Sequence, residues 1–180
     1  MHQKVTLMEA LRSQDILNAK RSELSRNEYL LTPGVVENSI YYIEEGALRL
    51  FYVSKHEEHD IRFGYSGNII TSLGSFFTGK PSEYYIQAIR KTIFYKVSKT
   101  NFLEFVQSDI HFLKEYNSML EALALQQLDR EIDILTDSPM ERYKRVLQRS
   151  PQLFQEIPLK YIASYLRMTP ETLSRLRNQL

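Results

Sequence analysis

The pattern of hydrophobic and polar positions divides the chain into three parts. Apolar residues near helical spacing predict one amphipathic helix over residues 3–18, with Val5, Met8 and Leu11 on its inner face. From Tyr29 to Val97, β-branched and aromatic residues alternate with polar ones. Turn residues interrupt this section at roughly the 8–12-residue spacing that is typical of antiparallel barrels and sandwiches. The remainder has helical spacing.

The alternating section predicts a series of short strands. In the segment 47–53, Leu48, Leu50 and Tyr52 share one face, as in a half-buried strand. Pro33-Gly34 marks a turn, and residues 54–60 are predicted to form a polar loop. The predicted strands are 29–32, 39–43, 47–53, 60–65, 84–89 and 92–97.

A short helix is predicted over 98–106 and a long one over 109–137, which contains no Gly or Pro. About 28 residues at 1.5 Å each give a helix about 42 Å long, which a small barrel does not cover. A second copy of the chain is its simplest partner, and a helix shared between two domains of one chain is the alternative. The predicted dimer interface consists of Leu113, Tyr116, Leu120, Leu123, Leu128 and Ile132.

The last part of the chain predicts two short helices joined by a tight turn at Arg167-Met168. Ala163 is small, so the second helix can approach the first closely. Thr169 caps the second helix, and Pro170 takes its favoured first position. This arrangement is a helix-turn-helix. The residues predicted to contact DNA are Arg167, Thr169, Pro170, Glu171, Thr172, Ser174, Arg175 and Arg177.

The outward side chains of the second helix suit the major groove of DNA. Arg175 can pair bidentately with guanine, and Glu171 can accept a hydrogen bond from cytosine. Thr169 and Arg177 are better placed for phosphates. Helix pairs with outward arginines also occur without a DNA role, and that alternative stays open.

The charge distribution adds to this interpretation. The chain of 180 residues has a net charge of +1, but Met140 to Leu180 contains eight basic and three acidic residues, a net charge of +5. The other 139 residues therefore carry −4. A basic module on an acidic body favours a polyanionic partner, although a solvated helical surface explains the charge equally well.

Other chemistries find little support in the sequence. The absence of Cys excludes disulfides, Cys-ligated zinc, iron–sulfur clusters and a Cys nucleophile. His56 and His59 lie in an acidic segment that we interpret as a solvated hairpin tip, so no metal site is predicted. No phosphate-binding loop or nucleophile elbow is present, so no enzyme is predicted. Without a targeting segment or a run of about 18 apolar residues, the chain is expected to be cytoplasmic, with no membrane partner.

The order of β-roll, long helix and helix-turn-helix resembles the Crp/Fnr superfamily of bacterial transcription regulators, from about Leu24 to Leu180. The most specific segments are Ile162-Ala163-Ser164-Tyr165-Leu166 and Thr169-Pro170-Glu171-Thr172-Leu173-Ser174-Arg175, which are similar to short regulators common in Bacteroidetes. Supporting segments are Ile40 to Leu50, Gly67-Asn68-Ile69-Ile70 and Glu141-Arg142-Tyr143.

The resemblance implies an α+β protein with three parts. They are a double-stranded β-helix (jelly roll) sensor like a cyclic nucleotide-binding domain over residues 1–108, a dimerisation helix over 109–137 and a DNA-binding domain over 138–180. It implies a homodimer that binds double-stranded DNA, with RNA polymerase as a further partner. Because the chain ends soon after the second helix, we expect the family's β-hairpin wing to be incomplete. A sensor or protein-interaction module that has lost DNA binding is the alternative function.

The sequence departs from the family at the ligand cassette. Nucleotide-binding members carry Gly-Glu-Leu-Gly and a later Arg-Ser, where this chain has Thr71-Ser72-Leu73-Gly74 and Ser82-Glu83. The glutamate for the ribose is thus replaced by Ser72 and the arginine for the phosphate by Ser82. Loss of the charge-assisted pair, together with the carboxylate of Glu83, disfavours cyclic AMP. Residues 71–74, 82 and 83 remain the predicted ligand pocket, with an unknown effector and no predicted cofactor.

A second departure lies in the turn of the helix-turn-helix, where Arg167 stands at a position usually held by Gly in the family. A left-handed backbone there costs about 1 kcal/mol for Arg relative to Gly. A phosphate contact by the Arg167 side chain is the compensation that the sequence suggests.

Overall fold

The computed structural model describes residues 5–179, in which the strands form two four-stranded antiparallel sheets. The first sheet has the order β1-β8-β3-β6 and the second the order β2-β7-β4-β5. The predicted α+β class and jelly roll are confirmed. The strands are β1 (Lys20–Leu24), β2 (Tyr29–Leu31), β3 (Ser39–Glu45), β4 (Ala47–Ser54), β5 (Glu57–Tyr65), β6 (Ile69–Ile70), β7 (Tyr85–Ala88) and β8 (Thr92–Ser98).

Helices precede the roll, interrupt it once and follow it. The long helix has 26 residues and is therefore about 39 Å long at 1.5 Å per residue. The helices are α1 (Leu7–Ala10), α2 (Gln14–Leu17), α3 (Leu73–Thr78), α4 (Lys99–Ser108), α5 (Ile110–Leu135), α6 (Pro139–Arg149), α7 (Pro151–Glu156), α8 (Leu159–Tyr165) and α9 (Pro170–Arg177).

The N-terminal segment departs from the predicted single helix. It forms two one-turn helices, because the Ser13 side chain accepts a hydrogen bond from the Ile16 N–H and begins a new helix there. Leu11 is buried as predicted, but Val5 and Met8 are exposed and Leu7 is buried, so the predicted inner face is wrong at Val5 and Met8. Residues 3 and 4 of the predicted helix lie outside the described residues.

The predicted polar loop over 54–60 is also wrong. The ladder between β4 and β5 continues to Ser54 and Glu57, which leaves a two-residue turn. Lys55 and His56 in this turn have φ angles of 51° and 68°. Positive φ at both central residues is characteristic of the tight turns whose twist suits a hairpin. Exposed polar residues therefore extend the hairpin instead of ending it.

The inner faces of both sheets contribute to one apolar core. Its largest fully buried side chains are those of Ile43, Leu48, Ile70 and Ile86. The strands β3 and β4 meet at Gly46, whose φ is +99° and whose added Cβ would lie 2.5 Å from the Lys91 carbonyl oxygen. Only Gly fits this close approach without a shift of backbone. The turn fixes the direction of β4, which pairs with β5, the strand on which α8 packs.

Candidate nucleic-acid interface and ligand cavity

The helices α8 and α9 form the predicted helix-turn-helix. Arg167 in the turn has a φ of 53°, so its backbone is left-handed. The Thr169 side chain accepts a hydrogen bond from the Thr172 N–H at 3.2 Å, and Pro170 occupies the first turn of α9. Ala163 and Leu173 are both 0% exposed, so the two helices meet through the predicted inner residues. The N-cap, the turn and the helix-packing contact are therefore present as the sequence predicts.

The outer side of α9 is open. We call the side chains that border its shallow depression the recognition face; all but the half-buried Ser174 are exposed, and the members are Pro170, Glu171, Ser174, Arg175, Asn178 and Gln179. Within residues 5–179, Arg175 has no hydrogen bond or ion pair, and neither does the exposed Arg177 beside it. Backbone N–H groups at the start of α9 and the Thr169 hydroxyl lower the pKa of Glu171, so this residue stays ionised near neutral pH.

Not every predicted DNA-contacting residue lies on the recognition face. Thr169 and Thr172 share a hydrogen bond between their hydroxyl groups at 3.2 Å, and Thr172 is half-buried. Arg167 is exposed in the turn. Asn178 and Gln179 were missed because they follow the last apolar residue of the helical pattern, Leu176. Their position three and four residues after Arg175 is the signal that would have included them.

The first helix of the pair, α8, packs against the hairpin of β4 and β5. The Asp60 N–H donates to Ser164 Oγ at 3.0 Å, and the Ser164 hydroxyl donates to the Glu58 carbonyl at 3.3 Å. The Tyr161 ring lies 4.6 Å from the guanidinium of Arg49. We call the contacts among Arg49, Asp60, Tyr161 and Ser164 the junction. Because the junction uses α8, the recognition face of α9 stays free.

The centre of the junction is a buried guanidinium. Arg49 is 4% exposed, and its Nε and Nη2 donate to Gln87 Oε1 at 2.9 and 2.7 Å. Its Nη1 lies 2.6 Å from a Glu58 carboxylate oxygen and 3.5 Å from Asp60 Oδ1. Burial raises the pKa of Asp60 to about 6, although Arg49 opposes this shift. The junction therefore contains a carboxyl group that titrates close to neutral pH.

The two faces of α5 differ in what they contact. Tyr116 lies against Phe102 of α4, with ring centroids 5.5 Å apart, and Leu123 lines a cavity beside the roll. On the other face, spacings of three, four and three residues join Leu125, Leu128, Ile132 and Leu135. We call this exposed face the apolar stripe; its members are Ile110, Leu113, Leu125, Leu128, Ile132 and Leu135. Of the predicted interface residues, Leu113, Leu128 and Ile132 thus lie on it, and Leu120 is half-buried.

The predicted ligand pocket is divided in the structure. The hydroxyl groups of Ser72 and Ser82 are buried and lie 2.9 Å apart, so they satisfy each other. Thr71 donates to the Ser39 carbonyl at 2.9 Å. Gly74 and Glu83 are exposed. Ser72 and Ser82 therefore meet without a cation between them, and the other predicted residues do not converge on them.

A separate cavity of about 470 Å³ opens beside Thr71 and Leu73, between the roll, α5 and the C-terminal helices. Arg62, Arg130 and Arg149 line it, and we call it the arginine cavity. Sequence reasoning missed these three residues. Arg130 was the signal that could have indicated the cavity. It lies seven residues after Leu123 on the same face of the helix, so it places a charged residue on an otherwise apolar inner face.

Residues 21–109 match the cyclic nucleotide-binding domain family. No curated protein sequence matches the chain. The solved structure of FixK2 from Bradyrhizobium japonicum has 19% identity and a TM-score of 0.76, and the match covers 90% of this chain and 84% of that one. A CooA variant from Carboxydothermus hydrogenoformans has 19% identity and a TM-score of 0.76, with coverage of 98% and 84%.

The regulator CLP of Xanthomonas campestris, described as responsive to c-di-GMP, has 12% identity and a TM-score of 0.64, with coverage of 92% and 88%. Residues 21–109 thus carry the match to the cyclic nucleotide-binding domain family, and a long helix and a helix-turn-helix follow them in the structure. The likeness to FixK2 and CooA shows that the chain shares their fold, as the resemblance stated from the sequence implies. Among residues 5–179, no helix is long and apolar enough to cross a membrane.

Proposed function

We propose that the chain is a sequence-specific DNA-binding transcription regulator of the Crp/Fnr type and not an enzyme. The recognition face carries this proposal, because its arginine is exposed and has no ion pair among residues 5–179, while the neighbouring helix α8 is held by the junction. An exposed guanidinium is ready to bind guanine or phosphate without first breaking a contact. A DNA partner in a bacterial cell implies the cytoplasm.

We propose that the regulator is a homodimer joined through the apolar stripe of α5. Six large apolar side chains at helical spacing are each more than a third exposed, which favours burial against a second copy. Two copies related by a two-fold axis would present their recognition faces about 34 Å apart, one turn of DNA. We propose the domain bounds expected from the sequence: a sensor domain over residues 1–108, a dimerisation helix over 109–137 and a DNA-binding domain over 138–180. RNA polymerase is a further proposed partner.

We propose that the effector is not cyclic AMP. Ser72 and Ser82 bond to each other, and the predicted pocket offers no cation for a cyclic phosphate. Calorimetric titration with cyclic AMP should give no heat beyond dilution. Micromolar affinity would contradict this part of the proposal.

Selection of genomic fragments with the purified protein tests the proposed function. We expect enriched fragments to share a near-palindrome with half-sites one helical turn apart. Arg175→Ala should abolish the enrichment, whereas the matched variant Arg26→Ala, which changes an exposed arginine of the roll, should leave it intact. The absence of enriched fragments, or equal enrichment by Arg175→Ala, would overturn the proposal.

A further inference from the structure

The arginine cavity lies where three parts of the chain meet. Arg62 comes from β5, Arg130 from α5, and Arg149 from α6. Its volume of about 470 Å³ is in the range of sites that hold small organic molecules, about 300–1,000 Å³. Among the described residues that line it, three are arginines and none is acidic. The wall of this cavity is therefore cationic.

Arg130 is the most informative of the three. Arg130 is only 8% exposed, and its Nη1 atom has no hydrogen-bond partner within residues 5–179. The guanidinium stacks on the ring of Tyr165, 3.6 Å from the centroid. Stacking leaves the N–H groups in the plane of the guanidinium unsatisfied. A buried cation without an acceptor is costly, so the arrangement favours an anion within reach of Nη1.

Asp133, the carboxylate whose charge acts on Arg130, is already used by other residues. Asp133 is fully buried, and its two oxygens accept from Arg145 at 3.1 Å and from Arg149 at 2.6 Å. Arg62 has no hydrogen bond or ion pair in the part of the chain that the structure describes. Burial lowers the pKa of Arg62 and of Arg130, as expected where positive charge is only partly compensated. Two guanidinium groups are therefore left for a ligand.

The cavity is also lined by apolar residues. Leu73, Met119 and Leu123 are at most half-buried, so they offer an apolar surface to a ligand. Gln126 and Asn68 line the cavity as well and supply amide groups. A lining that combines cationic, amide and apolar side chains fits a molecule that has both an anionic group and an apolar body.

We propose that the arginine cavity binds a small organic anion. Its phosphate or carboxylate group is held by Arg62 and Arg130, because guanidinium groups bind both kinds of oxyanion through paired N–H donors. Its body lies on Leu73 and Met119. The site is distinct from the serine pair at Ser72 and Ser82. The inference concerns ligand binding alone, so it stands or falls independently of the proposed DNA binding.

Calorimetric titration of the full chain at low salt, with pyrophosphate as the probe for the anionic group, tests the proposal. We expect sub-millimolar affinity for the unaltered chain. Arg62→Gln and Arg130→Gln should each weaken binding about tenfold or more, because each removes a charged donor. Arg26→Gln removes an exposed arginine far from the cavity in sequence and should leave the affinity unchanged. Within residues 5–179, Arg62 has no hydrogen bond or ion pair to lose, so Arg62→Gln should keep the fold even where Arg130→Gln does not.

The absence of pyrophosphate binding would overturn the proposal, as would equal affinity in Arg62→Gln and the unaltered chain. Two further probes distinguish the sources of the anion. Tighter binding of AMP than of pyrophosphate would assign a phosphate ester, and tighter binding of octanoate than of acetate would assign a carboxylate. If AMP binds no more tightly than pyrophosphate and octanoate no more tightly than acetate, the proposed contact between the apolar body of the ligand and the cavity is contradicted.

Discussion

The arginines of the recognition face and of the junction differ in burial and in pairing. Arg175 is exposed and forms no ion pair with any other described residue, whereas Arg49 is 4% exposed and is held by Gln87 and Glu58. An exposed guanidinium keeps its water, but a buried one requires acceptors from the protein. The comparison shows that exposed and buried arginines serve different purposes in this molecule. Arg175 of the C-terminal module is left for a partner, whereas Arg49 of the roll helps to join the roll to that module through Tyr161.

The largest expected effect is at the junction. Arg49→Ala should lower the free energy of unfolding by about 3–5 kcal/mol, because it leaves the buried Asp60 and the adjacent Glu58 without their cation. Arg175→Ala should change it by no more than about 0.5 kcal/mol, as is usual for an exposed residue. Urea unfolding followed by circular dichroism measures both. Similar losses in the two variants would remove the contrast between junction and recognition face.

The second prediction concerns the pH dependence of the junction. The pKa of Asp60 is raised from 3.8 to about 6, so the folded chain holds this proton more tightly than the unfolded chain. The contribution of Asp60 to the free energy of unfolding therefore falls as the pH rises from 3.8 to about 6. Asp60→Asn removes that fall, and its stability relative to the unaltered chain should increase over this range. At about 1.4 kcal/mol per pKa unit, the increase is on the order of 3 kcal/mol.

Urea unfolding of both chains at several pH values from 4 to 7 tests this prediction. The raised pKa of Asp60 requires that the difference in free energy of unfolding between Asp60→Asn and the unaltered chain depends on pH. A constant difference over the whole range would contradict the assignment of a raised pKa to Asp60.

The sequence predicted the C-terminal module better than it predicted the roll, and the reason is physical. The cap at Thr169, the proline at position 170 and the apolar face of α9 are local features, which a short segment encodes by itself. Strand β1 was missed because it is an edge strand whose residues are mostly exposed and polar. Hydrogen bonds to β8 fix the position of β1. The residues of β1 do not alternate between apolar and polar, so its own sequence does not predict a strand.

The candidate sites show the same difference between features encoded by a short segment and features that depend on distant contacts. The recognition face lies on one short helix, so its main residues could be predicted. The arginine cavity joins residues 62, 130 and 149, and the junction joins residues 49, 60 and 164; both depend on contacts between parts of the chain that are far apart in sequence. Sequence spacing can single out one member, such as Arg130 on the inner face of its helix, but it does not show which distant residues that member meets.

The third prediction concerns the recognition face itself. Arg175→Ala should weaken binding to the selected DNA site by about 1–3 kcal/mol, the range for loss of a bidentate contact to a base. Fluorescence anisotropy with a labelled duplex measures the affinity. Arg26→Ala serves as the matched control and should bind as the unaltered chain does. If both variants lose the same affinity, general charge and not the recognition face explains the binding.

The smallest effect is expected in the turn of the helix-turn-helix. Arg167 is left-handed with a φ of 53°, so Arg167→Gly should raise the free energy of unfolding by about 1 kcal/mol. If the Arg167 side chain contacts a phosphate, the same variant should reduce the slope of log affinity against log salt by about 1. Thermal unfolding and titrations at several salt concentrations test the two parts. A loss of stability in Arg167→Gly would contradict the backbone argument.

The central claim is that the recognition face reads a DNA sequence. Its most direct test is the ratio of affinities for the selected site and for a scrambled duplex of the same composition, measured at physiological salt. We expect a ratio of about 10³ or more, as for specific DNA-binding proteins. A ratio near one, with affinity that depends only on salt, would contradict the claim.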